Sequence, residues 1–111
     1  MMLEETIIFY LTGNNINAYA EVPKDPPDEF VIIERTGGGR ANMIDNARIA
    51  LQSYAPSLYA AAQLDETVKN LMFDITALGS VCSCRLSASY NFTDPSTKRY
   101  RYQSIFDITY Y

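Results

Sequence analysis

The sequence predicts an α+β domain with element order α-β-β-β-α-β-β, an antiparallel or mixed sheet carrying its helices on one face. Two stretches place apolar residues at helical spacing, and four longer ones alternate with a period of two or run apolar. Glycine, proline and aspartate clusters fall between them where hairpin turns belong.

Each element has its own signal. Leu3, Ile7, Ile8 and Leu11 share a helical face over residues 3–11, with Glu4 and Glu5 at the electropositive first turn. Gly13-Asn14-Asn15 stops that helix. Residues 17–22 read as a short strand, after which Pro23, Pro26 and Pro27 exclude both helix interior and central strand. Residues 29–36 resume as a strand. Its run Phe30-Val31-Ile32-Ile33 predicts burial on both faces, by a helix on one side and a neighbouring subunit on the other. Gly37-Gly38-Gly39-Arg40 then reads as a mobile hairpin tip.

Residues 44–54 alternate Ala47, Ile49, Leu51 against Asn46, Arg48, Gln52. Pro56-Ser57 opens a helix to residue 73, with Ala61, Leu64, Val68, Leu71 and Met72 on one side. Residues 81–92 place Cys82, Cys84, Leu86, Ala88 and Tyr90 on one face. After the Asp94-Pro95-Ser96 turn, residues 99–111 form the last strand, with Tyr100, Tyr102, Phe106, Ile108 and Tyr110 opposite Arg101, Gln103, Asp107 and Thr109.

The length of 111 residues bounds the chain to a single domain, 1–111, and no internal repeat or linker divides it. Hydrophobic residues make up 48 %, enough for a packed core. The nine Tyr suit half-buried sheet faces and protein interfaces alike. A net charge of −4 excludes a general grip on nucleic-acid phosphate, though not a conduit around DNA. No stretch approaches the ~18 apolar residues of a membrane span, and the N-terminus lacks signal-peptide features, so synthesis in the cytoplasm is expected. Cys82 and Cys84, on one strand face, are expected to be buried, reduced and inert.

Candidate chemistry is sparse. The chain has no His, which removes the commonest general base and metal ligand. Adjacent Asp65 and Glu66 are expected on a solvated helix face. The glycine run leads into a strand without the Lys-Ser/Thr of a phosphate loop, so a partner-contacting tip is favoured over anion binding. Lys98-Arg99-Tyr100-Arg101-Tyr102 interleaves charge and rings, but alternation sends arginines and tyrosines to opposite faces. Tyrosines toward the core, backed by solvent or interface arginines, are favoured over a single-strand nucleic-acid site.

Taken in order, several stretches resemble the tail terminator (tail completion) proteins of long-tailed bacteriophages. They are a short N-terminal helix, Glu21-Val22-Pro23, Phe30 to Gly39, Asp45 with Ala47 to Ala55, a helix with Ala60-Ala61, Asp94-Pro95, and Arg99-Tyr100-Arg101-Tyr102-Gln103. The resemblance spans residues 3–111 and implies a virion protein of the tail and neck. Such a subunit caps the tail tube as a homohexameric ring, meets the head-side connector, and lets DNA pass through its lumen. It implies no catalytic residue, cofactor, metal or membrane. Another head-tail joining or neck component, or a small ligand- or nucleic-acid-binding module, stays open. The contact residues expected on this reading are Gly37, Gly38, Gly39, Arg40, Pro26, Pro27, Arg99 and Arg101.

Overall fold

A computed structural model describes residues 2–41, 44–94, 96 and 99–111. Helix α1 (Leu3–Gly13) buries Leu3, Ile7 and Leu11. It ends where the backbone N–H of Asn14 turns back to Leu11 and Asn15 takes a positive φ of 66°, a conformation Asn tolerates. Strand β1 is only Ala18–Tyr19, shorter than residues 17–22, because the proline-rich segment after it cannot stay in a ladder. It pairs in parallel with Val31 and Ile32.

Strands β2 (Phe30–Ala41) and β3 (Ile44–Ala55) form a long antiparallel hairpin. Here the mobile-tip expectation fails. Gly37, Gly38 and Gly39 pair with Arg48, Ala47 and Asn46 inside β2, and Arg40 pairs with Asp45. Residues 42–43, between the paired Ala41 and Ile44, lie outside the described residues. Gly38 has φ +155°, and a Cβ there would stand 2.5 Å from the backbone oxygen of Asn46. Glycine at 38 thus lets the two strands approach, after the register shift between Arg35 and Gly37.

Helix α2 (Leu58–Phe73) begins at Ser57, whose side chain accepts the Ala60 N–H at 3.1 Å. A 3-10 turn (Ile75–Ala77) leads to β4 (Val81–Asn91), which pairs antiparallel with β5 (Tyr100–Tyr110). The sheet order is β1-β2-β3-β5-β4, with every pair from β2 to β4 antiparallel. The architecture is the expected α+β with the expected element order. Both helices contribute to one core, in which Ile7, Leu11, Val68 and Met72 meet Val31, Ile49, Leu51, Phe106 and Ile108.

Two features depart from simple alternation. Phe30 and Ile32 are buried on the other face by this chain's own Tyr54, whose ring stacks on Phe30 at 4.7 Å and 5°. No neighbouring subunit is needed there. Bulges between Val81 and Ser83 and between Leu86 and Ala88 then break the parity of β4. Cys84 and Leu86 pair with helix-side Ile108 and Phe106, whereas Ala88 and Tyr90 pair with Ile105 and Gln103 on the opposite face.

Ser53 is fully buried, and its hydroxyl is the one buried side-chain polar atom without a hydrogen-bond partner among the described residues. Ser53→Ala removes that desolvated hydroxyl and leaves the methylene. It is expected to raise stability by about 1 kcal/mol in urea unfolding, where loss of a made hydrogen bond would lower it.

Candidate functional site

The sheet face away from the helices is organised as five rungs running across β2, β3, β5 and β4. The first is aromatic and cationic: Phe30, Tyr54, Arg101 and Phe92. The Arg101 guanidinium lies 4.6 Å from the Phe92 ring centre and 5.6 Å from that of Tyr54. It also donates to Tyr54 Oη and to the Phe92 carbonyl, each at 2.7 Å. The second rung is amide-rich. Gln52 Nε2 donates to Gln103 Oε1 at 3.0 Å, and Gln103 Nε2 donates to Tyr90 Oη.

The third rung is Glu34, Ala50, Ile105 and Ala88. The fourth sets Gly37, Arg48, Asp107 and Arg85 in line, with Arg48 Nε donating to Asp107 Oδ1 at 3.2 Å. The fifth is Gly39, Asn46, Thr109 and Ser83, the last two sharing a hydrogen bond of 2.6 Å. The polar groups on this face are tied to one another across strands. Where they border hollows, these are shallow and open.

The expected contact residues separate into two ends of this face. Pro26, Pro27 and Arg99 line one shallow hollow with Tyr54 and Tyr100. Gly37 and Gly38 border another, of about 600 Å³, together with Arg48, Arg85 and Asp107. Eight residue steps along β3, from Tyr54 to Asn46, separate these ends, or about 27 Å. Arg40 is held by Asp45 at 2.6 Å. Arg101 is not a free arginine awaiting a partner, since its donors and face are engaged by Phe92 and Tyr54. A single-strand nucleic-acid site on this strand loses its central cation. Lys98 lies outside the described residues.

Asp65 departs furthest from expectation. It is 2 % exposed, pointing into the sheet and not along a solvated face. Ser104 Oγ donates to Oδ1 at 2.5 Å and Ser89 Oγ to Oδ2 at 3.0 Å, while Lys69 Nζ lies 3.4 Å from Oδ2. Lys69 also reaches Ser89 Oγ at 3.3 Å. The Glu66 carboxylate, 2.7 Å from Nζ, holds the Lys69 ammonium above the usual lysine range, outweighing burial, with Asp65 adding to it. Lys69 therefore stays protonated and offers Ser89 no base. The cluster is a structural tie between α2, β4 and β5. Adjacent acidic residues in the sequence hid it, because only the placement of Ser89 and Ser104 under α2 makes position 65 polar and buried.

Both cysteines are free thiols. Burial alone pushes the Cys84 thiol up to about 12 from its usual 9.0. Native alkylation of Cys84 at pH 8 is expected to run at least about tenfold slower than in urea, read by peptide mass spectrometry.

Among the described residues no group of His, Cys, Asp and Glu is arranged to hold a metal ion, and no helix is long and apolar enough to cross a membrane. A scan against protein-family models finds no match to the chain, and a sequence search of curated proteins finds no relative.

Proposed function

We propose that this chain is a structural assembly subunit, a phage tail terminator that closes into a homo-oligomeric ring, caps the tail tube and meets the head-side connector. The observation that carries this reading is the broad sheet face whose polar groups are locked into cross-strand rungs. Such a face is a preformed, rigid surface; it orders without further entropy loss when a protein partner covers it. The resemblance in residues 3–111 supplies the particular role, and the neighbouring neck functions share the same physics. DNA crossing the lumen would meet an acidic subunit that does not hold it.

Light scattering with negative-stain imaging tests the ring: closed particles with a central hole are expected, at a fixed multiple of the 12.5 kDa chain. Mixing with purified tail tubes tests the role. Decoration of one tube end is expected, and rings that ignore tube ends would move the assignment to another neck component.

A further inference from the structure

The two outer edges of the sheet are both long and largely unpaired. On one side β4 (Val81–Asn91) is the last strand. It contains neither proline nor lysine, the usual guards of an exposed edge, although its two bulges divide it into shorter regular runs. On the other side β1 covers only Val31 and Ile32, which leaves residues 34–41 of β2 without an outer strand neighbour among the described residues.

We infer that a second copy of this chain adds its β4 to the exposed edge of β2, continuing the sheet from subunit to subunit. This rests on the self-assembly proposed above and names the seam. The direction of the strands favours it. From β2 to β4 the sheet alternates at every step, so a copy placed head to tail meets β2 with its β4 antiparallel. The two edges are different surfaces, as a heterologous contact that closes into a ring requires.

Side chains flanking the edges agree. Leu86 and Phe73 both lie against Phe106 and are 39 % and 49 % exposed, an apolar shoulder on the helix side of β4. Tyr90 and Phe92, in edge-to-face contact at 5.8 Å, form a second one on the other side. The receiving edge is bare at the levels of Arg85 and Ser83, where β2 carries Gly37 and Gly39. A Cβ at Gly37 or Gly39 would meet nothing of its own chain closer than 3.8 Å, so the fold does not demand glycine at either. Both lie on the uncovered face, where the backbone of a neighbouring strand can approach closely. Charge is complementary as well. Arg85 is the sole charged residue of β4 and Glu34 lies on the open edge of β2; both are exposed, and neither enters an ion pair among the described residues.

Hydrogen exchange of the full chain, compared between a dilute monomer and a concentrated sample whose mass is read by light scattering, tests the seam. Amides in residues 34–41 and 81–88 are expected to slow at least tenfold on association. Arg85→Glu is expected to weaken association about tenfold, and adding Glu34→Arg to restore it. Association with both edges exchanging as in the monomer would overturn the seam and leave the ring standing. Open filaments with both edges protected would uphold the seam and overturn the ring. A chain that stays monomeric at millimolar concentration overturns both.

Discussion

Asp65→Ala is expected to lower the stability of the fold by about 3–5 kcal/mol, read as a shifted urea midpoint at unchanged slope. The carboxylate is 2 % exposed and accepts from Ser104 and Ser89, with Lys69 beside it. Truncation strands a buried Ser104 hydroxyl and leaves a void under α2, and both effects destabilise. Asp65→Asn keeps the shape and an acceptor oxygen but sets an amide where Ser89 now donates and where an ammonium stands near. A smaller loss of about 1–2 kcal/mol is expected for it. On a solvated face either change would stay within about 0.5 kcal/mol, so the measurement separates the two placements cleanly. Ser104→Ala should reproduce part of the loss, and the double variant should lose less than the sum, since both residues make the same hydrogen bond.

Position 65 also shows what a linear reading of this chain can and cannot reach. The element order was legible because it rests on local periodicity: Leu64, Val68 and Met72 on one stripe, Ala47, Ile49 and Leu51 on one strand face. Misplaced residues depend on partners far along the chain. Asp65 is polar and buried because Ser104, thirty-nine residues away, reaches it. Tyr90 changed faces because a bulge between Leu86 and Ala88 added one residue to the count, which no periodicity announces. Arg101 was correctly separated from Tyr100 and Tyr102, yet the rings that hold it, Tyr54 and Phe92, come from β3 and from the segment following β4. The candidate contacts were legible only as surface types. Pro26, Pro27 and Arg99 do share a hollow, while the glycine run proved to be strand.

That strand assignment makes the three glycines unequal, and Gly38→Ala is the substitution expected to show it. A methyl at 38 would stand 2.5 Å from the Asn46 carbonyl oxygen and 3.2 Å from the Ala47 Cα, both backbone atoms of the paired strand. Neither can move without parting β2 from β3, and φ +155° is itself unfavourable for a side chain. Strain of about 2–3 kcal/mol is expected, with faster amide exchange confined to the distal half of the hairpin. Gly39→Ala is expected to be neutral or to stabilise by up to about 1 kcal/mol, because its added carbon finds ordinary contact with Asn46 and the unfolded chain loses freedom. Equal losses at 38 and 39 would mean that close strand approach is not what glycine provides. Substitution is also cleaner than deleting residues 37–39. Deletion would change the pairing parity of residues 40 and 41 and mix a register fault with any effect on a partner. Gly39→Ala leaves the ladder intact, so weakened association of a fully stable Gly39→Ala chain can be assigned to the outer face of β2 itself.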